Sequence, residues 1–258
     1  MIPGARLVSH HWPGAICGGR PLHIGAAQAI ILPRMDGSVP TSAARPAVRG
    51  AAFALILLLA INMFNYVDRY VLVAVEQEIA RAYFPGETKD VLAKTGLLAT
   101  AFLVSYLLTS PIFGFLADRM SRWLLVGLAV ILWSAATGGS GLAPTFGIML
   151  VTRMFVGIGE AGYGPAAPTI IADLYPPQKR ARILAWFYMA IPVGSALGYI
   201  LGGMVGEQWG WRWAFFVVVP PGILLGVMAL FMRDPAPPPG ESRPGRITAT
   251  CSASRAIC

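Results

Sequence analysis

Six apolar stretches, at about 51–75, 92–114, 123–143, 146–172, 183–205 and 214–232, take up most of the chain between residues 50 and 233. At 1.5 Å of rise per helical residue, segments of this length can cross a ~30 Å hydrocarbon layer. Lipid offers no partner to a free N–H or C=O, so such segments fold as helices. Charged residues make up 12% of the chain and hydrophobic ones 56%, too few charges to cover a soluble domain of this size. The expected fold is an all-α, multi-pass membrane protein with six transmembrane helices.

The formal net charge of +8 does not point to nucleic acid, because the Lys and Arg residues are scattered or lie between the apolar segments. Asp118, Arg119 and Arg122 fall between the second and third segments, and Lys179, Arg180 and Arg182 between the fourth and fifth. Arg45 and Arg49 precede the first segment and Arg233 follows the sixth. The opposite connections mix Arg81, Lys89, Lys94 and Arg212 with acids, so the positive-inside bias places both termini in the cytoplasm. A plasma or bacterial inner membrane suits this topology. Trp209, Trp211 and Trp213 cluster where an outer aromatic belt would sit.

Cys17, Cys251, Cys258, His10, His11 and His23 all lie in the tails. The spacing supports neither a disulfide framework nor a metal site, and no cofactor is expected. Residues 1–34 contain no acidic residue and no run long enough to span a bilayer. They read as an unstructured, mis-called extension, with translation starting at Met35 and residues 35–50 as a cytoplasmic lead. The bundle is expected over 51–232. The Pro-rich stretch 233–258 reads as a disordered cytoplasmic tail.

Two of the segments carry charges. In Phe146–Tyr175, Arg153 and Glu160 lie seven residues apart, so both leave one helix face roughly 10 Å apart along the axis. The first segment reads INMFNYVDRYVLVAV, with Asn65, Asp68 and Arg69 embedded in it. Either that span ends at Val67 with its charges at the interface, or it runs on through Val75. Depth counting from residue 51 and back from Ile170 puts Asp68 and Arg153 both about 25 Å from the inner edge. Glu160 lies about 10 Å closer to the cytoplasm. Ionisable groups inside a span usually face a cavity or a partner and mark a substrate or proton path. A structural ion pair that only locks the bundle is the competing account, and buried pairs are weak evidence for stability. Whether Arg153 bonds Glu160 or reaches Asp68 is open at this level. A dry carboxylate without a partner is driven to its protonated form, which is the physical basis of a proton carrier.

Gly157-Ile-Gly-Glu-Ala-Gly162 matches the dinucleotide pattern G-x-G-x-x-G, but its flanks are one continuous apolar span rather than a strand and a helix. Gly157 and Gly159 are better read as close-packing positions, with Pro165 and Pro168 allowing kinks. Gly194, Gly198 and Gly202 recur every four residues, giving two overlapping G-x-x-x-G ridges.

The turn Gly114-Phe-Leu-Ala-Asp118-Arg119-Met-Ser-Arg122 and the string R-M-F-V-G-I-G-E-A at 153–161 resemble two signatures of the major facilitator superfamily. Ser121 stands where that family's turn usually has glycine, and Trp123 where it has a basic residue. N-Y-V-D-R at 65–69, G-E-A-G-Y at 159–163 and I-P-V-G-S-A-L-G-Y at 191–199 resemble its spinster-like branch. The resemblance covers roughly 50–233. It implies a secondary transporter, not an enzyme, that works by proton-coupled alternating access on a small-molecule or lysolipid-like substrate among membrane lipids. It implies that Asp68, Arg69, Arg153 and Glu160 line the cavity. Gly114, Asp118, Arg119 and Arg122 would form a conformational-switch turn with Asp173 as a partner. The family has twelve spans in two halves, each half built of 3+3 inverted repeats. This chain corresponds to an N-terminal half, so the expectation includes a truncated product. The alternative is a non-transporting membrane protein, or a half that needs a C-terminal partner chain or a second copy.

Overall fold

The computed structural model describes residues 50–86 and 90–234. The expectations for 1–34, for the lead before Gly50 and for the tail after Asp234 fall outside the described residues, as do the three cysteines and three histidines. The described residues form helices and connections, with no strand among them. In order these are α1 (Ala51–Ala74), α2 (Glu76–Tyr83), α3 (Val91–Arg119), α4 (Arg122–Leu142), α5 (Phe146–Tyr163), α6 (Ala166–Leu174), α7 (Pro177–Trp209) and α8 (Trp211–Leu230). By length and composition α1, α3, α4, α7 and α8 can each cross a membrane. The first helix runs on through Asp68 and Arg69 to Ala74, and the apolar residues 70–74 beyond the charges continue it.

Three boundaries differ from the sequence expectation. The fourth apolar segment is carried by two successive helices, α5 and α6, that meet at Gly164 and Pro165. Both junction residues keep right-handed helical dihedrals. Pro165 and Pro168, however, have no N–H to give to the carbonyls of Ala161 and Gly164. The helices α3 and α7 overrun their apolar segments: Phe-Leu-Ala-Asp-Arg and Gln-Lys-Arg-Ala-Arg contain no Gly or Pro, and Leu, Ala, Gln, Lys and Arg favour the helix. Asp118 and Arg119 therefore close the last turn of α3 rather than lying in a loop, and Lys179, Arg180 and Arg182 sit in the first turns of α7. Proline at the start of α7 suits a position whose N–H has no helical acceptor. The long connection expected after the first span contains α2, a short amphipathic helix whose Ile79 is fully buried.

The helices pack in pairs, α1 along α7, α4 along α8, and α5 between α3 and α4. Small residues set these approaches. A Cβ on Gly194 would stand 2.5 Å from Met63 O, one on Gly198 2.6 Å from Val67 O, and one on Gly202 2.7 Å from Ala74 Cβ. The same ridge continues at Gly206, against Val75. On α5, Gly157 lies against Phe102 O and Ser105 Oγ of α3, and a Cβ on Gly159 would be 2.8 Å from the backbone N of Trp133 on α4. One helix thus presents glycine to two neighbours at once. Gly210, with φ 90°, lets α7 turn into α8 within one residue.

Two apolar clusters fill the bundle. One gathers Leu58, Ile61, Trp123, Val130, Trp133, Val156, Ile170 and Phe187, and the other Val67, Val71, Ile79, Met149 and Phe215. On α4 and α5 the boundary between them falls at Thr137–Ser140 and at Arg153. The second cluster is capped at its end. Tyr83 Oη donates to Ala143 O at 2.8 Å, and Arg212 donates to Gly141 O at 3.2 Å and to Ala143 O at 3.0 Å, satisfying the last carbonyls of α4. Burial raises the Tyr83 pKa above the ordinary tyrosine value, against the opposing charge of Arg212.

Gly198→Val should lower stability by on the order of 1–3 kcal/mol, because the added methyls meet backbone rather than a yielding side-chain tip. Gly203→Ala on the same helix should stay within about 0.5 kcal/mol of the parent, since a Cβ there meets nothing. Thermal unfolding in detergent checks both; equal losses would show that the ridge does not set the α1–α7 approach.

Candidate functional site

Asn62, Asn65, Asp68 and Arg69 follow one another at three, three and one residues along α1, so the first three share its buried face. All three are at most 5% exposed. The Asn62 amide donates to Phe187 O of α7 at 2.8 Å. Asp68 accepts a hydrogen bond from Thr137 Oγ1 of α4 at 2.8 Å. Arg69, one position on, leaves the helix about 100° away from Asp68 and faces α5 instead.

There Arg69 Nε donates to Glu160 Oε2 at 2.7 Å, and Nη2 makes a second, short bond to the same oxygen. Glu160 is 1% exposed while the Arg69 side chain is 33% exposed, so the pair joins a dry carboxylate to a half-open guanidinium. Aromatic faces surround the cation. Its central carbon lies 4.8 Å from the ring of Phe102, 5.3 Å from that of Tyr66 and 5.9 Å from that of Tyr106. The second carboxylate oxygen, Glu160 Oε1, is buried and accepts no hydrogen bond among the described residues, although the Asn65 amide stands near the carboxylate.

Arg153 is 2% exposed and turns away from Glu160. Its Nε and Nη2 donate to Ser140 Oγ of α4 at 3.1 and 2.6 Å, and its guanidinium carbon lies 5.2 Å from the ring of Phe215 on α8. Helical side chains lean toward the helix N-terminus, which carries Arg153 toward residue 146 and away from residue 160. The spacing of seven thus puts both charges on one face without pairing them. Arg153 and Asp68 act on each other electrostatically, but no direct ion pair joins them among the described residues.

The switch-turn residues divide. Arg122 makes a short ion pair with Asp173 at the end of α6. With Asp173 43% exposed, a pair of this kind contributes at most about 1 kcal/mol. Arg119 folds over the Phe115 ring at 4.0 Å. Asp118 is exposed, and a Cβ on Gly114 would meet nothing within 4 Å. Sequence reasoning did not single out Thr137 and Ser140, nor the aromatic residues around Arg69. The one available signal was the three-residue repeat Ser134, Thr137, Ser140 in an otherwise apolar span. No group of three His, Cys, Asp or Glu side chains able to hold a metal occurs among the described residues.

Five helices long and apolar enough to cross a membrane, with opposite charges held between helices of the bundle, describe a multi-pass membrane protein. The chain belongs to the Major Facilitator Superfamily, whose family model matches residues 58–256, and within it the chain is spinster-like. It is 41% identical over 197 residues to Protein spinster homolog 1 of Rattus norvegicus, a match covering 74% of this chain and 36% of that protein. It is 41% identical over 172 residues to the sphingosine-1-phosphate transporter SPNS2 of Xenopus tropicalis, covering 66% of this chain and 33% of that one. Among solved structures, a bacterial homologue of the human lysosomal transporter Spinster, inward-facing and unoccupied, superposes with a TM-score of 0.67. It is 31% identical in sequence, and the match covers 74% of this chain and 45% of that one. A D-xylose–proton symporter, 18% identical with a TM-score of 0.62, shares the fold. The chain spans about a third of the length of the curated relatives it matches. Two of these names say transporter: that of the Xenopus tropicalis relative and that of the human protein to which the solved structure is a bacterial homologue.

Glu160→Gln removes the carboxylate that occupies Arg69. Modification of Arg69 by phenylglyoxal, followed by mass spectrometry, should then speed up by about tenfold, the equivalent of ~1.4 kcal/mol of charge-assisted hydrogen bonding. Arg153, fully buried on Ser140, should stay unmodified. An unchanged rate at Arg69 would show that Glu160 does not restrain it.

Proposed function

We propose that this chain forms one wall of a proton-coupled secondary transporter that moves an amphipathic organic anion of the lysolipid type by alternating access. One observation carries the reading. Arg69 is half-open to the bundle's surface and ringed by aromatic faces, while its inner side holds a fully buried carboxylate. An anionic head group arriving at Arg69 competes with Glu160 for the guanidinium. Removing one partner of a buried ion pair costs on the order of 3–5 kcal/mol if the other stays charged. A carboxylate that loses its cation in such a place is neutralised by a proton instead. Anion binding at Arg69 and proton binding at Glu160 are thereby linked through one hydrogen-bonded oxygen. Asp68 and Arg153 act on each other electrostatically without a direct bond, and the Arg122–Asp173 pair ties α4 to α6 at one end.

Arg119, Arg122, Lys179, Arg180, Arg182 and Arg233 all belong to one end of the bundle, which supports a cytoplasmic placement of that end and of both termini. The membrane is a plasma or bacterial inner membrane. Alternating access needs a second half to rock against. The exposed apolar faces of α3 and α7, which include Leu107, Leu108, Ile112, Tyr199, Ile200 and Met204, support a second reading in which the chain acts only once joined by a C-terminal half or a second copy.

Binding of sphingosine-1-phosphate and of sphingosine to the purified chain, followed by intrinsic fluorescence, tests the site. Arg69→Gln should weaken binding of the phosphate-bearing lipid roughly tenfold and leave the phosphate-free one unchanged. Glu160→Gln should strengthen binding of the phosphate lipid, because it removes the internal competitor. In the chain assembled with a C-terminal half, the same substitution should abolish uptake driven by a pH gradient. Equal affinity of the parent protein for both lipids would overturn the anion site, and undiminished pH-driven uptake would overturn the coupling.

A further inference from the structure

We infer that Thr137 and Ser140 of α4 are positioning residues that hold Asp68 and Arg153 apart as two separately solvated charges. The inference rests on the proton-carrier reading of the intramembrane site and extends it to a helix that carries no charge within its apolar span.

The two hydroxyls lie three residues apart, on one face of α4 and roughly 4.5 Å apart along its axis. Thr137 Oγ1 donates to Asp68 Oδ2 at 2.8 Å, while Ser140 Oγ accepts from Arg153 Nε at 3.1 Å and Nη2 at 2.6 Å. Each hydroxyl is at most 1% exposed, so neither is exchanging its charged partner for bulk water. The bonding of Ser140 is complete. A hydroxyl has one donor and two acceptor sites. Both acceptor sites are taken by Arg153, and the proton goes to Ala136 O at 3.2 Å or to Thr152 Oγ1 at 2.7 Å. Thr152 in turn spends its own proton on Met149 O at 2.7 Å, leaving its oxygen free to accept from Ser140. That chain of donations fixes the direction in which Ser140 presents its lone pairs.

Asp68 and Arg153 would otherwise be expected to collapse into a direct bond, because opposite charges in a poorly screened interior attract strongly. The hydroxyls offer each charge a nearer partner. The groups acting on Asp68 are Arg153 from α5, Arg69 from its own helix and the Thr137 hydroxyl from α4, and Glu160 of α5 feels the Asp68 charge in turn. A donated hydrogen bond favours the ionised carboxylate, and a nearby cation favours it too, but the two are removed by different substitutions. Thr137→Val deletes a donor to Asp68 and leaves Arg153 on Ser140, so protonation of Asp68 becomes easier. Ser140→Ala deletes the acceptor of Arg153, on which Asp68 acts more strongly than Glu160 does, so the ion pair closes and protonation becomes harder. A hydroxyl that served packing alone has no reason to produce opposite signs.

The test is infrared difference spectroscopy of the protonated-carboxyl band of the full chain in lipid vesicles, across a pH titration. Subtracting the spectrum of Asp68→Asn isolates Asp68. Its midpoint should move to higher pH by about one unit in Thr137→Val and to lower pH by about one unit in Ser140→Ala, while Thr137→Ser should return it to the parent value. Ser140→Cys, a weaker acceptor of nearly the same size, serves in place of Ser140→Ala where circular dichroism shows that variant to have lost helix. Midpoints unmoved in both variants, or moved in one direction by both, would reject the positioning role while leaving the proton carrier standing. A parent protein in which neither Asp68 nor Glu160 titrates would reject the proton carrier itself, and the positioning role with it.

Discussion

Burying a charge away from water is the constraint on which this structure turns. An isolated ion in an apolar interior is too costly to persist, so every charge that α1 and α5 carry into the bundle must find a partner on another helix. Arg69 finds Glu160, Asp68 finds Thr137 and Arg153 finds Ser140. These bonds tie α1 to α5, α1 to α4 and α5 to α4. Apolar packing alone would tolerate small rotations of one helix against another, because hydrophobic contact has no direction. Three directional contacts among three helices leave far less freedom, and they set which faces meet.

Glycine supplies the complementary half of that specification. Polar side chains as short as Ser, Thr and Asp bridge helices only where the backbones approach closely. Gly194, Gly198 and Gly202 let α7 lie on α1, and Gly157 and Gly159 let α5 sit against α3 and α4 together. Lipid gives no solvent-driven reason for helices to associate, so close backbone contact and interhelical hydrogen bonds carry the association. The close approach of α5 to α4 at Gly159 therefore also serves the Arg153–Ser140 bond.

Much of this is legible in the residue pattern. Arg153 and Glu160 stand out because charges are rare in apolar spans, and the four-residue glycine spacing marks a packing ridge. What the pattern does not contain is the rotation of one helix relative to another. It places Arg153 and Glu160 on one face, but the lean of helical side chains sends Arg153 to Ser140 and leaves Glu160 for Arg69. Serine and threonine occur in spans for many reasons, so Thr137 and Ser140 carry no mark of their role until α4 is seen against α1 and α5. Helix ends depart from the apolar pattern for a related reason: the apolar run of α3 ends near residue 114, but the helix continues to Arg119. The short amphipathic α2 shows neither a span's length nor a turn's chemistry, and it reads as a connection until Ile79 is seen buried.

The junction between α5 and α6 has a mechanical consequence. Above it α5 is clamped from two sides at Gly157 and Gly159, and below it α6 is tethered to α4 through Asp173 and Arg122. Between the clamp and the tether, Pro165 and Pro168 withhold two N–H groups from the helical ladder, and the Tyr106 hydroxyl rests against Gly164. A rod that is rigid at both ends and loosened in one turn bends there rather than sliding as a whole. The compliant turn begins four residues beyond Glu160, and Tyr106 touches it while also facing Arg69. The Arg122–Asp173 tether and the Arg69–Glu160 pair thus lie on opposite sides of one loosened turn, with Tyr106 against both that turn and Arg69.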